Sequence, residues 1–79
     1  MITSIVFLNE GKTDLRVIVE PIADQVFIRP NESAEFFVEV QNSASDFEVT
    51  YDENDIILYL PSDFGEVKVS VNGEDTFEL

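Results

Sequence analysis

The chain has 79 residues, seventeen acids against four bases, no histidine and no cysteine, for a net charge of −13. One domain fits this length, and a hydrophobic fraction of 44% with seven phenylalanines is too high for a disordered acidic tail. The missing residue types remove imidazole-based proton transfer, Ser-His-Asp acyl transfer, thiol chemistry and disulfide staples, and the charge repels nucleic acid and anionic lipid.

In chain order, Ile5-Val6-Phe7-Leu8 is apolar on both faces, so it either lies covered on both sides or leaves one face as an exposed patch. The turn residues Asn9-Glu10-Gly11-Lys12 follow. Leu15–Glu20 then alternates, with Leu15, Val17 and Val19 on one face and Arg16, Ile18 and Glu20 on the other. Pro21 to Asp24 reads as a turn, and in 25–29 Val26 and Ile28 point inward. Pro30-Asn31-Glu32-Ser33 is a further turn, leading to Ala34–Val40 with Phe36, Val38 and Val40 inward and Glu35, Phe37 and Glu39 outward. Gln41–Asp46 is the loosest connection and is long enough to cross between two sheets.

In Phe47–Tyr51 the inward set is Phe47, Val49 and Tyr51, with Glu48 and Thr50 outward. Asp52-Glu53-Asn54-Asp55 is a polar turn before Ile56–Leu60, the second run apolar on both faces. Pro61 to Gly65 precedes Val67–Val71, whose three valines face the core. Asn72-Gly73 suits a type I′ hairpin turn, because both residues tolerate positive φ, and it implies a short last strand at 76–79. Pro21, Pro30 and Pro61 sit where strands should end, since proline donates nothing to a ladder. Short Val-, Ile- and Phe-rich segments at this spacing predict an all-β fold: a single small antiparallel β-sandwich of seven to eight strands spanning residues 1–79.

Phe7-Leu8-Asn9-Glu10-Gly11, the alternating Leu15-x-Val17-x-Val19, and Val26-x-Ile28-x-Pro30-Asn31-Glu32-Ser33-Ala34-x-Phe36-x-Val38-x-Val40 together resemble bacterial immunoglobulin-like β-sandwich modules. The resemblance covers roughly residues 5–40 and implies a role in binding or assembly, with no catalytic residues to carry over. Asn31 stands where such modules usually have glycine, which the left-handed tolerance of asparagine allows.

No catalytic residue, cofactor site or metal site is assigned. The three glycines are isolated in turns, so there is no phosphate-cradling loop. Asp52-Glu53-Asn54-Asp55 offers the oxygen ligands that Ca²⁺ takes, but lacks the glycine and distal glutamate of an EF-hand loop, and a hairpin turn is the preferred reading. Without cysteine the chain suits a reducing cytoplasm. No basic segment opens it, and no apolar run is long enough to cross a bilayer.

Between Arg29 and Lys68 there are ten carboxylates and no base. If 34–40, 47–51 and 56–60 form one meander, Glu35, Phe37, Glu39, Glu48, Ile57 and Tyr59 share an outer face. An apolar centre with an acidic rim would then dock a basic protein partner, as an inhibitor, immunity protein or nucleic-acid mimic. The competing reading of Phe37, Ile57 and Tyr59 is burial beneath a second covered face. A different class of function is a structural module of a larger particle or envelope, with Phe77 and Leu79 on an edge that joins neighbours. Either reading is compatible with a monomer or weak dimer. Crowded carboxylates are also expected to titrate above their unfolded values, so that acid and salt stabilise the chain.

Overall fold

The computed structural model describes residues 1–79 apart from Ser43, Asn54 and Asp75. Its strands are β1 (Ile2–Leu8), β2 (Leu15–Glu20), β3 (Asp24–Ile28), β4 (Ser33–Glu39), β5 (Glu48–Asp52), β6 (Asp55–Tyr59), β7 (Val67–Val71) and β8 (Phe77–Glu78). They form two four-stranded sheets, β1-β4-β7-β8 and β3-β2-β6-β5. The all-β expectation holds, and no helix among the described residues is long and apolar enough to cross a membrane.

The purely antiparallel expectation fails at one pair. β2 and β6 run parallel, with Arg16 opposite Asp55 and Glu20 opposite Tyr59. Parallel strands require a crossover rather than a hairpin, and here it is supplied by β3, β4 and β5, which visit both sheets between them. The segment from 40 to 47 does cross between sheets, because β4 and β5 lie in different ones.

The inner faces of both sheets contribute to one core. Val17, Val19, Val26, Ile28 and Leu58 from the second sheet meet Ala34, Phe36, Val38, Val67 and Val69 from the first. These are the alternate positions that a period of two assigns inward. Phe7 meets Phe36 edge-on, with ring centroids 5.7 Å apart at 78°, the geometry that sets ring edge against ring face.

β5 departs from the inward assignment. Phe47 packs against the core, but Val49 is exposed and Tyr51 is 81% exposed. The reason is position: β5 is the edge of its sheet, and its inward side overhangs the opposite sheet without a covering neighbour.

Asparagine fixes the turns. Asn31 and Asn72 lie at φ 66° and 57°, left-handed values that asparagine enters at little cost. Asn9 is buried and locks the top of the sandwich. Its Nδ2 donates to the carbonyls of Thr13 (2.9 Å) and Ile28 (2.8 Å), and its Oδ1 accepts from Gly11 N–H (2.9 Å). Its main chain adds Asn9 N–H to Glu32 O (2.9 Å) and Asn31 N–H to Asn9 O (2.7 Å). One side chain thereby ties the β1–β2 loop to the end of β3, which gives Asn-x-Gly at 9–11 a physical meaning.

Asp63 does comparable work at the other crossover. Its Oδ2 accepts from the N–H groups of Gln41 (3.1 Å) and Asn42 (3.0 Å), and its Oδ1 accepts from Ser45 Oγ (2.7 Å).

Candidate partner-binding surfaces

The six residues grouped on the sequence do not share a face. The meander is corrected: β4 belongs to the first sheet, while β5 and β6 belong to the second. Glu35, Phe37 and Glu39 therefore sit on the outer face of one sheet, and Glu48, Ile57 and Tyr59 on the outer face of the other, on opposite sides of the sandwich. The residue period specifies which way a side chain points, not which sheet its strand joins. Burial of the three apolar members under a further layer is corrected too. Phe37 and Ile57 are half-buried and Tyr59 is exposed.

The second sheet carries three outward rows. Phe27, Arg16, Asp55 and Asp52 form the first, Gln25, Ile18, Ile57 and Thr50 the second, and Glu20, Tyr59 and Glu48 the third. Arg16 is already engaged. Its Nε donates to Asp55 Oδ1 at 3.1 Å and its Nη2 to Oδ2 at 2.7 Å, a two-pronged pairing that guanidinium geometry favours. The Arg16 hydrogen bond holds the Asp55 carboxyl below its ordinary value. Beside it, Ile18, Thr50, Tyr51, Asp52, Asp55 and Ile57 line a depression of about 160 Å³, smaller than the roughly 300–1,000 Å³ of small-molecule sites. Of the polar turn Asp52–Asp55, whose oxygens suit Ca²⁺, Asp55 is committed to Arg16, Glu53 adopts φ 48°, and Asn54 lies outside the described residues.

The first sheet is organised differently. Its outward rows are Ile2 and Glu39; Ser4, Phe37, Lys68 and Glu78; Val6, Glu35 and Ser70; and Leu8 and Ser33. Lys68 lies 3.4 Å from Glu66. Ile2, Val6 and Leu8 are 69%, 57% and 57% exposed, so the apolar run at the chain start resolves as an exposed patch rather than a covered strand. Each of Ile2 and Val6 stands directly beside a glutamate of β4. Glu39 leans toward Gly65, where an added side-chain carbon would meet Glu39 Oε1 at 2.6 Å.

The exposed patch is one of the two outcomes that the apolar run Ile5–Leu8 allowed; what alternation did not reveal is that outward Ile2 and Val6 stand beside glutamates of β4. The available signal was the uncharged stretch Ile2–Leu8 at the margin of a chain otherwise dense in acids. The expected upward carboxylate shifts are also reversed at two sites. The Ser45 hydroxyl and the N–H groups of Asn42 and Gln41 hold Asp63 below its ordinary value against the opposing effect of burial, as Arg16 does for Asp55.

No protein-family model matches the chain, and neither do curated proteins or solved structures.

Proposed function

We propose that this chain is a non-enzymatic, acidic protein-binding domain of immunoglobulin-like build that docks a basic protein partner in a reducing cytoplasm. The observation that carries the reading is the pairing on the first sheet of exposed aliphatic residues with carboxylates, Ile2 beside Glu39 and Val6 beside Glu35. Apolar contact supplies the desolvated centre of such an interface, and the negative field speeds encounter with a cationic partner. The two-layer arrangement and the Asn9 lock support the immunoglobulin-like description, while the parallel β2–β6 pair distinguishes it from a purely antiparallel sandwich.

Because the six sequence-derived residues fall on two faces, the second face is an internal control. Basic proteins captured from lysate at low salt should be lost from Glu35→Lys/Glu39→Lys and kept by Glu48→Lys, and should elute as salt rises. Capture unchanged by the double substitution ends the reading.

An assembly module is the second reading, favoured by Phe77, half-exposed on the edge strand β8. Glu74 and Asp75 precede this strand in sequence, and Asp75 lies outside the described residues. Light scattering that shows a concentration-dependent oligomer, broken by Phe77→Glu, supports it; a strict monomer opposes it.

A further inference from the structure

Four strands end the two sheets: β1, β8, β3 and β5. Among the described residues, β3 carries Asp24, β5 carries Glu48 and Asp52, and β8 carries Glu78. Charge on an edge strand is a standard guard against unwanted pairing. β1, Ile-Thr-Ser-Ile-Val-Phe-Leu, has no charge, no proline and no glycine, and at seven residues it is the longest of the four.

The hydrogen-bond phase of β1 is also fixed. Met1 and Val40 exchange both bonds, Met1 N to Val40 O at 3.0 Å and Val40 N to Met1 O at 2.9 Å. In an antiparallel ladder such reciprocal pairs alternate with residues whose main-chain groups point away. With the register running from Ile2 opposite Glu39 to Leu8 opposite Ser33, the odd positions bond β4. The N–H and C=O groups of Ile2, Ser4, Val6 and Leu8 therefore face the outer edge of the sheet, where no strand lies among the described residues. The same four side chains are on the outer face.

We propose that β1 is a strand-addition site for an extended basic segment of the partner, one that reads basic–x–apolar–x–basic. This names the partner chemistry for the docking face and rests on that reading. An antiparallel strand paired to Ile2, Ser4, Val6 and Leu8 continues each outer row by one residue. Opposite Val6, the row runs on to Glu35; opposite Ile2, it runs on to Glu39. Strands lie about 4.8 Å apart, so a lysine or arginine there lays its stem along the aliphatic side chain and brings its charge to the glutamate. Opposite Ser4 the row runs on to Phe37 and then Lys68, which favours an apolar residue and disfavours a cation. Ile2 and Val6 are four positions apart, which sets the spacing of the two basic residues. Glu39 leans away over Gly65, so the Val6–Glu35 row carries more of the recognition. A second copy of this chain fits poorly, because its own β1 brings no cation and its net charge is also −13.

The test uses the full chain and the synthetic peptide Thr-Lys-Thr-Val-Thr-Lys-Thr. Its control, Thr-Thr-Lys-Val-Lys-Thr-Thr, has the same composition with both lysines on the face opposite valine. In amide NMR titrations the first peptide should shift Ile2, Ser4, Val6 and Leu8 most and leave Ile18 and Ile57 still, and the control should bind more weakly. Ser4→Pro removes an N–H that β4 does not use, so the strand tolerates it, and losing edge bonds should weaken binding about tenfold. Glu35→Lys should weaken it about three- to fivefold. Largest shifts on Ile18 and Ile57, or equal binding of the two peptides, overturn the proposal. Full affinity in folded Ser4→Pro overturns strand addition while leaving docking on the Glu35 face intact, whereas lysate capture indifferent to Glu35→Lys/Glu39→Lys sinks that wider reading. A wild-type dimer abolished by Ser4→Pro makes the occupant a second copy, which also overturns the basic-segment assignment.

Discussion

β1 and β5 are both edge strands, yet they meet solvent in opposite ways. β1 is anchored on its inner side, with Ile5 and Phe7 packed against the core, and apolar on its outer side. β5 is charged at both ends, by Glu48 and Asp52, and has little anchorage: every residue is exposed, and Val49 and Tyr51 overhang. An edge held by its own hydrogen bonds and shielded by acids needs no partner. One bonded firmly to the core and left uncharged presents a stable template, and so the two strands differ in what each edge offers a neighbouring chain.

Four measurements sharpen or break this difference. The largest effect is expected from Phe7→Ala. Burial of a core phenylalanine is worth about 3–5 kcal/mol against alanine, and this half-buried ring, stacked edge-on to Phe36, should cost about 2–3 kcal/mol in urea unfolding. A cost as small as that at an exposed site would mean β1 is not anchored. Asn9→Ala comes next. Removing three side-chain hydrogen bonds to main chain, the one to Ile28 buried, should cost about 2 kcal/mol, while Asn9→Asp should not restore the loss, because Nδ2 is the donor to Thr13 and Ile28.

The third concerns pH. Asp63 has its folded value depressed by Ser45 and by main-chain donors. Its contribution is therefore complete above the unfolded carboxylate value of 3.8 and disappears as pH falls through the lower folded value. The melting-temperature gap between wild type and Asp63→Asn should stay constant at neutral pH and close on acidification below 3.8. A gap that widens in acid contradicts the sign. The smallest effect belongs to Tyr51→Ala, at 81% exposure, which should stay within about 0.5 kcal/mol of wild type.

Much of the fold was legible along the chain because period-two alternation and turn chemistry are local. Val17, Val26, Phe36 and Val69 fell inward as their spacing required, and Asn31 and Asn72 took the left-handed conformations their turns needed. Pro21, Pro30 and Pro61 each follow a strand end. The candidate surface was less legible. Glu35 and Glu48 lie on strands consecutive in sequence, but the connection between those strands changes sheets, and alternation carries no record of that. Nor did it reveal that Ile57 would neighbour Ile18 across a parallel pair, since nothing in either strand encodes its partner. Tyr51 failed for a simpler reason: an inward-pointing side chain is buried only where the opposite sheet extends beneath it.

The parallel joining of β2 to β6 has a kinetic consequence. Arg16 and Asp55 are 39 residues apart, so the centre of the second sheet closes only after most of the chain has been gathered. Loop closure over such separations must be met before its contacts bring any reward, which places folding in the millisecond-to-second range of sandwich topologies rather than the microseconds of helical bundles. During that interval the uncharged stretches Ile2–Leu8 and Ile56–Leu60 are unpaired in a highly anionic chain, whose mutual repulsion between copies opposes aggregation.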